Sequence, residues 1–239
     1  MKILVATSDK YSFLTAPFSA LFNKYWPNQE IHFLGFDKSS VPSLPKNCTF
    51  HSLGKQEDFG RIWTDPLIPF ISELEDEHFV FTVEDVMLMK TVDQQKINTL
   101  EDQVVNHGAS KAMLDSHLNG SAAPHSDPDS KILTLPQQSP YRASLHPAIW
   151  KKDYFLKFLK PRYTAWDFEI ANDSEARNDG SKIVSLNSND DTYYTCNVYR
   201  KGVPIPRHDC RRVYGTSGEY FDMEDIEYIL KFVDSKVIL

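Results

Sequence analysis

Short unbroken apolar runs alternate with stretches of helical spacing along the first part of the chain, the pattern of strand–helix–strand units. Ile3-Leu4-Val5-Ala6, between Lys2 and the small polar Thr7-Ser8-Asp9, reads as a first strand buried on both faces. Over residues 13–25, Leu14, Phe18, Leu21, Phe22 and Tyr25 fall on one helical face, and Pro27 with Asn28 ends that helix. Residues 31–36 give a second strand, so the two strands pair in parallel across a crossover helix. A short third strand is expected at residues 49–53 and a helix at residues 63–74. Then Phe79-Val80-Phe81-Thr82-Val83 runs directly into Glu84-Asp85, and Val86-Met87-Leu88-Met89 resumes with no Gly or Pro between them. Two adjacent acids between apolar segments sit at a strand end or are buried at high cost. The carboxyl ends of strands are where open α/β sheets bind ligands.

Val92-Asp93 precedes a helix expected over residues 94–105. Residues 113–130 carry Asn119-Gly120-Ser121, Pro124 and Pro128, and their second half reads as an exposed loop. Strands are expected at residues 131–135 and 141–145. Pro147 then suits the first turn of a helix loaded with Ile149, Trp150, Tyr154, Leu156 and Phe158, which Pro161 ends. Thr164 and Asp167 have capping-box spacing ahead of the next helix. A turn at residues 178–180, strands at 182–186 and 193–199, an irregular stretch at 209–218 and a terminal helix at 221–233 complete the chain. The order implies one α/β domain over residues 1–239, a mixed, mostly parallel central sheet flanked by helices. Residues 1–93 would form a nucleotide-binding half and residues 94–239 an acceptor half.

Composition narrows the function classes. With 239 residues and 41% apolar content the chain can bury a substantial core. A net charge of −7 argues against a dedicated nucleic-acid binder. Cys48, Cys196 and Cys210 are odd in number and scattered, with no CxxC pair, which fits a reducing cytoplasm better than a disulfide framework. The N-terminus enters a strand without the apolar stretch of a signal peptide. No apolar run approaches the ~20 residues that span a bilayer, so any membrane contact would be peripheral. The sequence leaves the oligomeric state open. There is no GxGxxG after the first strand, and no P-loop, GxSxG or HExxH.

Three segments carry a resemblance. Phe81-Thr82-Val83-Glu84-Asp85-Val86-Met87-Leu88 with Val92-Asp93 is the first, and Tyr141-Arg142-Ala143-Ser144-Leu145-His146-Pro147-Ala148-Ile149-Trp150 the second. The third is Trp166-Asp167-Phe168-Glu169. In order and spacing they resemble a largely uncharacterised glycosyltransferase-like group with the GT-A fold of nucleotide-diphospho-sugar transferases. The resemblance covers roughly residues 1–170. It implies transfer of a sugar from a nucleotide-diphosphate donor to a hydroxyl on a glycan or lipid-linked acceptor, assisted by Mn²⁺ or Mg²⁺. Asp85 would hold the metal, and Glu84 would stand behind it or bind the ribose. Met87 occupies the place of the second acid of an Asp-x-Asp motif, so the motif is abbreviated. The bland alternative is a solvated loop with an incidental acid pair.

By the same resemblance Thr7, Ser8 and Tyr11 seat the nucleotide base, although Tyr11 serves equally well as a cover for the first helix. Lys55, Asp58 and Arg61 would flank the nucleotide, or form a solvated charged loop. Glu169 is the candidate general base for the acceptor hydroxyl. Asp167 is a second candidate with a competing duty at the helix cap, and Trp166 is either a platform for a sugar ring or core. His146 is a further candidate, and His208 would be a late metal ligand. Beside His208, Lys201, Arg207, Arg211 and Arg212 would close over a diphosphate or balance the acidic terminal helix. Two rival readings stand: a binding protein on a catalytically degenerate GT-A scaffold, and a sugar nucleotidyltransferase. The second would be expected to show a Gly-rich phosphate loop after the first strand, which is missing.

Overall fold

The alternation of side chains in β1 (Ile3–Ala6) splits it between two cores, with Ile3 and Val5 in one and Leu4 and Ala6 in the other. β4 (His78–Val83) divides the same way, Val80 to the first and Phe79 with Phe81 to the second. A sheet covered on both faces needs apolar residues at every position, which is why these strands read as unbroken runs. The computed structural model describes residues 1–115, 132–186, 192–197, 199–200, 203–204 and 222–237.

After β1 come a 3-10 turn (Ser12–Leu14), α1 (Thr15–Tyr25), β2 (Ile31–Gly35), β3 (Cys48–Ser52), α2 (Gln56–Phe59) and α3 (Thr64–Glu73), then β4. β5 (Val86–Leu88), α4 (Gln94–Val105), β6 (Ala109–Met113), β7 (Ile132–Thr134) and β8 (Ala148–Lys151) follow. The chain continues through α5 (Lys152–Phe158), α6 (Ala165–Ile170), α7 (Asp173–Asn178) and β9 (Lys182–Leu186). β10 (Thr195–Asn197), β11 (Tyr199–Arg200), β12 (Val203–Pro204) and α8 (Met223–Val237) complete it.

Among the described residues eight strands form one mixed sheet in the order β3-β2-β1-β4-β8-β6-β9-β7. The pairs β3–β2, β2–β1, β1–β4 and β6–β9 are parallel. β4–β8, β6–β8 and β7–β9 are antiparallel. Strands from residues 1–93 make one side of the sheet, and strands from the later half make the other. The seam between them is β4 against β8.

Helices α1, α4 and α8 lay Phe18, Phe22, Ile97, Leu100, Ile226 and Ile229 on one face of the sheet. Helices α3, α5 and α6 lay Leu67, Ile71, Phe155 and Phe168 on the other. Phe155 sits at the centre of that second core, with its ring centroid 4.7 Å from Phe81, 5.1 Å from Trp150 and 5.4 Å from Phe168. Among the described residues no helix is long and apolar enough to cross a membrane.

Residues 141–145 are not a strand. Tyr141 takes a left-handed φ of 58°, and the segment is a turn built around the fully buried Arg142. The Arg142 guanidinium donates to the carbonyls of Ala176, Leu135, Pro136 and Ser181. Helix does not follow at Pro147 either: residues 148–151 form β8, in register with both β4 and β6, and helix begins only at Lys152. A central strand satisfies its backbone on both sides at once, which outweighs the preference of Pro for a helix start. Within the strand expected over residues 193–199, the ladder comprises Thr195–Asn197 against β5, followed by Tyr199–Arg200 against β12. β6 had no counterpart in the sequence expectations. The loop expected in the second half of residues 113–130 falls largely outside the described residues, as does the irregular stretch at 209–218.

Candidate active site

β4 ends at the seam of the sheet, between parallel β1 and antiparallel β8. Glu84 and Asp85 form the turn after it, and the chain then leaves the large sheet, β5 pairing with β10. Val86, Met87 and Leu88 are buried in this second ladder, so the chain turns at two carboxylates with no need for Gly or Pro. The Glu84 N–H still donates to the Ala6 carbonyl at 3.3 Å. Its side chain is only 6% exposed. Burial pushes the Glu84 carboxyl well above its ordinary range, the neighbouring Asp85 charge adds to this, and a hydrogen bond with the Thr7 side chain opposes it. Asp85 is half-buried, and burial raises it to about 6; Glu169 adds to the rise while His146 counters it.

The opposite wall comes from the later half of the chain. Asp115, one residue beyond Leu114 at the end of β6, is 5% exposed and lies with Oδ2 3.1 Å from His146 Nδ1. Glu169, on α6, accepts the Leu145 N–H on Oε1 at 2.7 Å. Burial alone would lower His146, but Asp115 and Glu169 outweigh it and raise the imidazole above its ordinary value. The His146 imidazole thus sits among Asp85, Asp115 and Glu169 at the end of β4.

Asp115 has no place in the sequence expectations. Its signal was the pattern that marked Glu84-Asp85, an apolar run ending in an acid, here Ala112-Met113-Leu114-Asp115.

The remaining candidates are distributed around this centre. Thr7 is buried at the end of β1 beneath Glu84, and the Ser8 carbonyl accepts the Tyr11 N–H. Tyr11 packs partly buried on the first core, with Lys10 Nζ 5.3 Å from its ring centroid. Lys55 lines an open cleft of about 490 Å³ at the carboxyl ends of β1, β2 and β3, together with Asp9, Asp37, Lys38 and Gln56. In that cleft the Asp37 N–H donates to Asp9 Oδ1 at 2.8 Å, and the Asp9 N–H donates to Gln56 Oε1 at 2.8 Å. Asp58 and Arg61 are exposed on and just after α2.

Asp167 is exposed and occupied by the capping box: its Oδ2 accepts from Thr164 N–H at 2.9 Å and from Thr164 Oγ1 at 2.7 Å. Those bonds hold its carboxyl below the usual range. Trp166, one helical turn before Glu169, is 52% exposed and therefore not core. His208, Lys201, Arg207, Arg211 and Arg212 lie outside the described residues. Among the described residues no three His, Cys, Asp or Glu side chains are grouped so as to hold a metal ion.

No family model and no curated protein matches the chain. Among solved structures it is similar to a cytidylyltransferase from Leptospira borgpetersenii, at 10% identity and a TM-score of 0.48, covering 96% of this chain and 93% of that one. It is also similar to the galactosyltransferase LgtC in complex with donor and acceptor sugar analogues, at 12% identity and a TM-score of 0.46, covering 79% and 74%. A third likeness is to the bifunctional IspDF from Campylobacter jejuni, at 13% identity and a TM-score of 0.42. There the match covers 78% of this chain and spans about half, 49%, of that protein. At these values a likeness fixes neither the family nor the chemistry of this chain.

Proposed function

We propose that the protein is a glycosyltransferase that moves a sugar from a nucleotide-diphosphate donor to a hydroxyl on a glycan or lipid-linked acceptor. The observation that carries this reading is the gathering of acids from both halves of the chain at the carboxyl end of β4: Asp85 in the turn after that strand, and Glu169 and Asp115 tied to the adjoining residues Leu145 and His146, with the charge of Glu169 felt at Asp85. The sheet end supplies a ligand crevice, and two carboxylates from opposite halves of the chain suit a donor on one side and an acceptor on the other. In this reading Glu169 takes the proton of the acceptor hydroxyl as its oxygen bonds the anomeric carbon. The bond from that carbon to the diphosphate breaks with its electron pair on the departing nucleoside diphosphate. His146, held by Asp115 and favoured in its charged form by the acids around it, would offset negative charge on the same side of the site. Trp166 offers an exposed ring beside Glu169 for the face of an acceptor sugar. The cleft lined by Lys55 is where the nucleoside would lie, with Thr7 and Ser8 between it and the acid pair.

The donor set fits a hard divalent cation of one kind. Asp85 offers a carboxylate oxygen ionised at neutral pH, and Mg²⁺ or Mn²⁺ bound to a diphosphate needs only one or two protein carboxylates, with phosphate and water completing its shell. Such a cation, when bound, would neutralise charge on the diphosphate.

The test is a thermal-shift and turnover screen of nucleoside diphosphates and sugar nucleotides, with and without Mn²⁺. A raised melting temperature and sugar release from one donor are expected. No response to any nucleotide would sink the reading and leave a binding protein on this scaffold. Pyrophosphate release from a nucleoside triphosphate and a sugar phosphate would assign a nucleotidyltransferase instead.

A further inference from the structure

Lys111 stands in the middle of β6, level with Trp150 of β8 and Ile183 of β9, and is 0% exposed. An aliphatic residue would fill this space without the cost of desolvating an ammonium. Its Nζ has specific partners: it donates to the Ser144 carbonyl at 2.7 Å and to the Arg142 carbonyl at 3.1 Å, and lies 4.1 Å from the Trp150 ring centroid. The two carbonyls belong to the turn that leads into Leu145, whose N–H meets Glu169, and His146, whose ring meets Asp115.

We propose that Lys111 is a positioning residue for Glu169, holding the backbone at Arg142 and Ser144 so that the Leu145 N–H is presented to the Glu169 carboxylate. This rests on the reading of Glu169 as the base. The wrong backbone at residues 142–145 would leave Glu169 without its fixed donor and free to rotate on the exposed side of α6. Arg142 anchors the same turn from its other end through its four carbonyl partners, so the turn is held between two buried basic side chains. The electrostatics agree with this role. Burial lowers Lys111 to about 7, Glu169 and Asp115 pull it back up, and Arg142 pushes it down. Both the ammonium and the neutral amine carry enough N–H donors for two carbonyls, so the hold survives either protonation state.

The test is Lys111→Met, which keeps the length and apolar bulk of the side chain. Amide exchange followed by NMR should show Leu145 losing about tenfold or more of its protection, the scale of one hydrogen bond to a charged group, while Val5 and Val80 keep theirs. In turnover, kcat should fall with the donor KM unchanged. Unaltered Leu145 exchange, or a fall in donor affinity alone, would overturn the proposal. If Lys111→Met does not fold, the through-hydrogen-bond couplings from Lys111 Nζ to the carbonyl carbons of Ser144 and Arg142 are measured by NMR in the wild type. Both should be present, and their absence overturns the proposal. Both NMR readings are independent of turnover, so a wild type that turns over no sugar nucleotide would remove the functional reading and still leave the Lys111 geometry measured.

Discussion

Glu84 and Ala6 meet across the β1–β4 pair, the Glu84 N–H donating to the Ala6 carbonyl at 3.3 Å, while the neighbouring Thr7 side chain eases the charge on the Glu84 carboxyl. This contact between two strand ends holds an acid in a place that burial makes unfavourable for its charge. Asp85 beside it is raised from 3.8 to about 6 for the same reason. A carboxyl whose folded pKa lies above its unfolded one binds its proton more tightly when folded. The folded state is then fully favoured below about pH 4, and loses stability as pH rises toward 6.

The metal-free wild type should therefore lose stability between about pH 4 and pH 6 through Asp85, and Asp85→Asn should flatten that slope. At pH 7 the variant should be more stable by about 1–3 kcal/mol, since one pKa unit corresponds to about 1.4 kcal/mol. Urea melts of both proteins from pH 4 to pH 8 measure this. The same substitution should abolish any melting-temperature rise produced by a nucleotide with Mn²⁺. A variant less stable than wild type at pH 7 would contradict the strained acid pair.

Glu169→Gln keeps an acceptor oxygen for the Leu145 N–H and so should leave the melting temperature nearly unchanged. Loss of a general base typically costs 10²–10⁴-fold in rate, so kcat should fall by about that factor with the donor KM steady. Steady-state kinetics on the donor found in the screen provide the check. Full activity in the variant would move the base elsewhere.

Trp166 is half-exposed, and its truncation should change stability by no more than about 0.5 kcal/mol. As an acceptor platform its loss should raise the acceptor KM about three- to tenfold, the worth of an aromatic stacking contact, without changing the donor KM. Separate titrations of the two substrates in Trp166→Ala distinguish them.

Arg142 behaves oppositely. Arg142→Met leaves the carbonyls of Ala176, Leu135, Pro136 and Ser181 without their buried donor and should destabilise the fold by about 3–5 kcal/mol. Chemical denaturation would show it. A near-neutral effect would mean that water replaces the guanidinium.

Thr164→Ala tests the local capping box. Removing the hydroxyl that accepts the Asp167 N–H should cost about 1 kcal/mol. Asp167 keeps the backbone N–H of residue 164 as a donor, so the loss measured is that of the hydroxyl alone.

The resemblance around Tyr-Arg-x-Ser-Leu contains two kinds of residue that the sequence could not separate. Arg142 is a structural anchor, whereas Leu145 and His146 carry the ties to Glu169 and Asp115. A strand reading of residues 141–145 was reasonable from Tyr, Ala and Leu, but a buried guanidinium needs several carbonyls at once, and a turn supplies them better than a strand. β6 has no clear strand pattern because Ser110 and Lys111 interrupt its apolar run, and the carbonyls of Arg142 and Ser144 with the Trp150 ring explain how Lys111 is buried.

By itself the sequence determined the local elements with strong periodic or terminal signals: β1, α1, β2, β4, α4, the Thr164–Asp167 capping box and β9. It also marked Glu84-Asp85 as a strand end, because two acids cannot follow an apolar run without a change of environment. Only the tertiary structure decided which acids share a site. Asp115, His146 and Glu169 are brought to Asp85 by the pairing of β8 with β4 and β6 and by a turn anchored on Arg142 and Lys111. Those pairings join residues far apart in the chain, and their stability lies in shared burial and long-range hydrogen bonds. Such terms leave no period in the sequence to be read.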